Sequence, residues 1–160
     1  MNERQRTIRL MGTLLCMFLL QIAFGPLLHL QGYSANLALT SLLVASLYGE
    51  AVQGCRFGLF MGILEASFAA RYVGSIIVSR VIAGVVIGSL EERVFRDNVF
   101  IAALTAAVGT LATESLFFLI APQPHVARWF TGIGVETVLN GILGMLVFPV
   151  FHWAGGKAKV

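Results

Sequence analysis

The sequence predicts an all-α, polytopic integral membrane protein: a six-helix transmembrane bundle that forms one domain over residues 1–160. The first observation is composition, because 58% of the 160 residues are hydrophobic and only 12% are charged. A soluble domain carries about 25% charged residues. The second is the mean hydropathy of +0.85. The third is that the apolar residues fall into six segments separated by short polar or glycine-containing breaks.

The six apolar segments define the expected membrane spans. They cover about 9–31, 35–49, 54–71, 74–90, 98–120 and 130–153. A span needs about 20 residues, and fewer where local bilayer thinning or packing helps. The second segment is the shortest, and Gly49-Glu50 marks its end. The basic N-terminus resembles the start of a signal peptide. The apolar run after it is too long, and no small-x-small cleavage site follows, so we expect an uncleaved first span.

Basic residues predict the orientation of the six spans, which place both termini on the same side of the membrane. Eight basic residues fall on that side: Arg4, Arg6, Arg9, Arg56, Arg93, Arg96, Lys157 and Lys159. Only Arg71 and Arg128 fall on the other side, and Arg80 lies within a span. Because Lys and Arg are enriched in cytoplasmic loops, both termini are expected to be cytoplasmic.

The third span carries a regular glycine pattern that an acidic residue closes. Gly54, Gly58, Gly62 and Glu65 fall on one helical face at about 100° per residue. Small residues let two helices pack closely in lipid. An ionisable side chain at membrane depth costs about 3 kcal/mol or more. Glu65 is therefore expected to face a neighbouring helix rather than lipid.

The third and fourth spans are expected to form a hairpin that turns near Tyr72-Val73. This register pairs Gly58 with Gly88, Gly62 with Gly84, and Glu65 with Arg80. The two glycine faces then meet, and each carries one charge of opposite sign at the same depth. We therefore predict a close Glu65–Arg80 ion pair in the outer half of the membrane.

The last two spans add further polar residues at a similar depth. Glu114 and Glu136 lie at mirrored positions about a turn near His125, and Asn140 follows Glu136 by four residues. The predicted buried polar cluster is Glu65, Arg80, Glu114, Glu136 and Asn140. Two interpretations stay open: the cluster fixes how the helices associate, or it is a site for a ligand, a proton or a partner's charge.

No pattern in the sequence predicts an enzyme, a cofactor, a metal site or a nucleic-acid site. The three histidines are spread over both ends of the predicted bundle. Cys16 and Cys55 are too few for a disulfide framework and are expected to be free thiols. Basic residues are nowhere dense or interleaved with aromatic ones, which excludes nucleic acid as a partner. Residues 91–96 match the EExxxR pattern of intramembrane CAAX-type proteases. However, they lie in a predicted charged cytoplasmic loop rather than in a buried cavity.

Two segments resemble the MreD family of bacterial rod-shape-determining membrane proteins. The segment from Gly54 to Gly88 is similar to that family's glycine-rich stretch followed by an acidic residue, here Glu65. The segment from Thr137 to Pro149 is similar to the family's closing asparagine, here Asn140, with its hydrophobic run and aromatic-proline pair.

The resemblance implies a non-enzymatic scaffold of the cell-wall elongation complex (the elongasome), which sets cell shape through lateral peptidoglycan synthesis. It implies a multi-pass protein of the bacterial cytoplasmic (inner) membrane, surrounded by lipid, that binds the single-span protein MreC. Through MreC it would act indirectly with MreB filaments, a RodA-type glycosyltransferase and a penicillin-binding transpeptidase.

The fold of the MreD family is similar to that of the S-components of ECF transporters, which gives an alternative function. An S-component would bind a vitamin near the outer surface, at the depth expected for the polar cluster. Such a protein is expected to carry an Ala-xxx-Ala docking motif early in its first helix. The first helix here, from Ile8 to Leu30, lacks that motif.

Overall fold

The structure of the chain is a computed structural model that describes residues 3–25, 29–30, 33–90 and 98–156. These residues form six α-helices and one antiparallel two-stranded sheet. The helices are α1 (Glu3–Phe24), α2 (Leu37–Ser46), α3 (Ala51–Phe68), α4 (Val73–Ser89), α5 (Val99–Ile120) and α6 (Val126–Gly155). Strands β1 (His29–Leu30) and β2 (Tyr33–Ser34) pair as a short hairpin that the sequence analysis did not predict. Residues 91–96, Lys157 and Lys159 lie outside the described ranges.

The all-helical class and the order of six helices are confirmed, and three helices are long and apolar enough to cross a membrane. These three are α1, α5 and α6. The prediction for the second segment is wrong in length. Helix α2 has 10 residues, which is about 15 Å and only half of the hydrocarbon thickness of a bilayer.

Helix α2 lies at the centre of the bundle. It packs against all five other helices, and these surround it in the order α1, α3, α4, α5 and α6, with α6 returning to α1. Every residue from Ala38 to Ser46 is buried. A helix that is apolar all round can either face lipid or be buried by protein, and here the surrounding helices bury it on every side.

Helix α2 fills only one half of the ring of helices. Its last residues lie at the end of the bundle that holds the start of α1 and the end of α6, which we call the terminal end. There Tyr48 packs against Gly155, and Arg6 Nη2 donates to Gln53 Oε1 at 3.5 Å. The opposite, hairpin end holds the β-hairpin, the α3–α4 turn and the α5–α6 loop. Among the described residues no central helix occupies this half.

Helices α3 and α4 form the closest helix pair, and glycines make the contact possible. A Cβ on Gly54 would collide with the carbonyl oxygen of Gly84, and a Cβ on Gly84 would collide with that of Gly54. A Cβ on Gly88 would lie 2.7 Å from Glu50 O. The two backbones therefore touch along the glycine faces that the sequence predicts.

The predicted register of this hairpin is wrong, although the predicted faces meet. Gly58 packs on Arg80 rather than on Gly88, and Gly62 packs on Ile77 rather than on Gly84. Each glycine of α3 thus meets a residue about two helical turns nearer the start of α4 than expected. The turn covers residues 69–72, because α3 ends at Phe68 and α4 begins at Val73. It therefore lies earlier in the chain than the predicted turn near Tyr72-Val73. A shift of two whole turns keeps the same faces in contact.

The glycine contact gives a direct test of the packing. Gly54→Ala is expected to lower the free energy of unfolding by about 1–3 kcal/mol, because the added methyl group pushes two backbones apart. The measurement is an SDS titration of the purified protein in mixed micelles. Gly134→Ala is the matched control, since a Cβ there meets no atom within 4 Å. It should be neutral or stabilising by up to about 1 kcal/mol. Equal stability of the two variants would contradict the observed packing.

Candidate functional site

A buried arginine on α4 binds two carboxylates from neighbouring helices. Arg80 is only 5% exposed. Its Nε donates to Glu65 Oε2 at 3.0 Å, and its Nη2 lies 2.9 Å from the same oxygen. Its Nη1 donates to Glu114 Oε1 at 2.9 Å. The predicted Glu65–Arg80 pair is therefore present, and Glu114 joins it to form a triad that links α3, α4 and α5.

The pair forms despite the shifted register because the two side chains reach toward each other along the helix axes. Side chains on a helix lean toward its N-terminus. Helices α3 and α4 are antiparallel, so Arg80 leans toward the hairpin end and Glu65 leans toward the terminal end. The Arg80 side chain passes Gly62, where a Cβ would lie 3.4 Å from Arg80 Cβ. Gly62 thus leaves room for the arginine to reach Glu65.

Glu136 is not in contact with this triad, although it lies close enough to interact electrostatically with all three of its charges. It is half-buried on α6 and forms no ion pair with any described residue. The structure therefore brings three of the four predicted charges into contact, and it places the fourth beside a different cavity.

Asn140 is fully buried and connects three helices. Its Nδ2 donates to Thr110 Oγ1 on α5 at 3.0 Å, and its Oδ1 accepts from the backbone N–H of Asn36 at 2.8 Å. Asn140 thus belongs to the buried polar residues as predicted, and it also binds the start of α2, which was not predicted.

Two further side chains accept hydrogen bonds from other amides at the start of α2. Gln21 Oε1 on α1 accepts from the Leu37 N–H at 2.7 Å, and Asn36 Oδ1 accepts from the Leu39 N–H at 2.9 Å. The first amides of a helix have no partner within the helix. The sequence analysis missed these roles, although an asparagine before an apolar helix is a common N-cap.

Two open cavities lie beside these charges. One, of about 410 Å³, is lined by the triad, and the other, of about 340 Å³, is lined by Glu136. The larger, which we call the charged cavity, has the triad, Gln21 and Asn36 as its polar lining. Its apolar lining consists of Phe18, Ile22, Ala38, Phe68, Ala69, Ile76 and Phe117. Its position follows from the length of α2, because it lies in the half of the ring that α2 does not fill.

The smaller cavity, which we call the loop cavity, lies where the α5–α6 loop meets the start of α6. Glu136, Arg128, His125 and Trp129 contribute to its lining. Trp129 stacks on Phe117, with ring centroids 5.8 Å apart. This cavity therefore combines one carboxylate with basic and aromatic groups.

The described residues limit the chemistry of the site. Cys16 and Cys55 are free, as predicted. Within the described ranges, no group of three or more His, Cys, Asp or Glu side chains is placed to hold a metal. No protein-family model, curated protein or solved structure matches the chain. What the triad and the cavities do is therefore inferred from their geometry and chemistry.

The triad predicts a charge-balance effect on stability. Arg80→Leu should lower the free energy of unfolding by about 3–5 kcal/mol, because it leaves two buried carboxylates without a counter-ion. Unfolding is measured by SDS titration in mixed micelles. Arg71→Leu is the control, since Arg71 is exposed in the α3–α4 turn.

A triple variant separates the loss of charge balance from the loss of packing. Adding Glu65→Gln and Glu114→Gln to Arg80→Leu should restore part of the lost stability, because no buried charge then lacks a partner. A triple variant less stable than Arg80→Leu alone would refute the charge-balance explanation.

Proposed function

We propose that the chain is a six-span protein of the bacterial cytoplasmic membrane and a non-enzymatic scaffold of the MreD type. In this proposal it binds MreC and contributes to cell shape and peptidoglycan synthesis. MreB filaments, a RodA-type glycosyltransferase and a penicillin-binding transpeptidase are its indirect partners.

The course of the chain supports six passes through the membrane. The start of α1 and the end of α6 lie at the same end of the bundle. The second pass combines the half-length α2 with residues 33–36, which directly precede it. Irregular backbone at membrane depth is tolerated where protein surrounds it, and the ring of helices surrounds α2. The basic residues Arg4, Arg6, Arg9 and Arg56 belong to the terminal end, which supports cytoplasmic termini.

The scaffold proposal is supported by the location of the two segments that resemble the MreD family. The first segment supplies the glycine contact between Gly54 and Gly84 and the ion pair of Glu65. The second segment supplies the buried Asn140. The residues that resemble the MreD family thus make the closest helix contact and the central polar bonds of the bundle.

Partner binding in this proposal uses helix faces and short loops. Large apolar side chains cover the outside of the ring, including Phe100, which is 70% exposed, and Leu146, which is 66% exposed. Such side chains suit lipid or the transmembrane helix of a partner. Helix association in lipid relies on close packing and interhelical hydrogen bonds, so a single-span protein such as MreC is a suitable partner.

The proposal is tested by affinity purification of the tagged full chain from its native membrane in mild detergent. Partners are identified by mass spectrometry, and an unrelated tagged membrane protein from the same cells is the control. We expect MreC to be enriched together with the RodA-type glycosyltransferase and its transpeptidase. Enrichment of the transmembrane subunit and paired ATPases of an ECF transporter would overturn the proposal and favour the S-component alternative.

A further inference from the structure

We propose that the charged cavity is a binding site for a small organic cation, with an ammonium group attached to an apolar or aromatic body. This site goes beyond the scaffold function and does not depend on it. The proposal rests on the size of the cavity, its lining and its balance of charge.

The size and access of the cavity suit a small ligand. Its volume of about 410 Å³ is within the range of about 300–1,000 Å³ that is common for ligand sites. Residues from α1, α3, α4, α5 and the start of α2 surround it. Ile22 and Phe68, which are 46% and 71% exposed, line its accessible side.

The cavity is an open cleft beside the buried triad. Protein interiors are packed to nearly crystalline density, and the helices around the triad leave this cleft unfilled. Helix α2 begins at mid-bundle, and no described side chain fills the space between its start and the hairpin end. A cluster that only fixed helix association would need the triad but would not need the adjoining space.

The charge in the cavity favours a cation over an anion. Its lining contains two carboxylates, those of Glu65 and Glu114, and one guanidinium, that of Arg80. All three nitrogens of that guanidinium are engaged by the carboxylates. Arg128 and His125 line the loop cavity instead. Glu65 Oε1 is shielded from solvent and accepts no hydrogen bond from any described residue. One negative charge is therefore left to be compensated.

The walls of the cavity explain why the ligand should also carry an apolar body. Phe18, Phe68 and Phe117 come from three different helices. Aromatic rings attract a desolvated ammonium group through cation–π interactions, and they also bury apolar surface. The other polar lining groups offer few acceptors, because Gln21 Oε1 and Asn36 Oδ1 already accept backbone amides.

The test uses the full chain in nanodiscs of phosphatidylcholine, with empty nanodiscs as the blank. Radiolabelled 2-phenylethylamine is the probe, and its binding is measured by equilibrium dialysis at pH 7. Unlabelled 2-phenylethanol and phenylacetate compete as neutral and anionic analogues of similar size. We expect saturable binding of the amine, and at least tenfold weaker competition by both analogues than by unlabelled amine. Absence of saturable amine binding, or equal competition by the alcohol, would overturn the proposal.

Two variants locate the binding site. Ala69→Trp fills the cavity from its lining and should weaken amine binding at least tenfold. Ala70→Trp is the matched control, because Ala70 is the exposed neighbour outside the lining and should leave binding unchanged. Glu65→Gln should weaken amine binding at least tenfold without changing competition by the alcohol. If Glu65→Gln does not fold, the comparison of Ala69→Trp with Ala70→Trp tests the location of the site. Equal amine binding by the two tryptophan variants would place the site elsewhere.

Discussion

The start of helix α2 imposes the constraint on which the rest of the structure depends. Its first amides lie in the middle of an apolar bundle, where an unpaired backbone N–H costs several kcal/mol. Side chains from three parts of the chain meet this demand. Asn140 accepts from Asn36, Gln21 accepts from Leu37, and the Asn36 side chain accepts from Leu39. These bonds fix α1 and α6 around α2, and they allow α2 to begin in the middle of the bundle.

The half-length of α2 and the glycine contact together produce the charged site. Because α2 begins only at mid-bundle, the ring leaves open space at its hairpin end. The glycine contacts bring α3 against α4 so closely that Arg80 reaches Glu65, and its Nη1 reaches Glu114 on α5. In a bundle of full-length helices with larger side chains, this space would be filled. The cavity is thus a consequence of the packing, and the same residues support both the scaffold proposal and the cation-site proposal.

Much of the fold could be predicted from the sequence, because apolar length and helical periodicity are local properties. They give the six helices and the glycine faces, whereas the predicted Glu65–Arg80 pair forms despite a wrong register because both side chains reach along the helix axes. Periodicity does not fix axial position, since a two-turn shift leaves every face unchanged, and so the Gly58 and Gly62 partners were wrong. The half-length of α2 was also missed, because a fully buried helix and a membrane span have the same apolar composition. Gln21 on α1 accepts a hydrogen bond from the start of α2, 16 residues later in the chain. No local sequence pattern reveals such a contact.

The most direct measurement of the central constraint is the stability of Asn140→Leu beside that of Thr137→Val. Asn140→Leu leaves the Asn36 amide and the Thr110 hydroxyl without their partner, at about 1–3 kcal/mol for each buried group. Thr137→Val removes a buried hydroxyl that has no hydrogen-bond partner among the described residues. Unfolding by SDS titration should show a loss of about 2–6 kcal/mol for Asn140→Leu and no loss for Thr137→Val. An Asn140→Leu variant as stable as the parent protein would contradict the account.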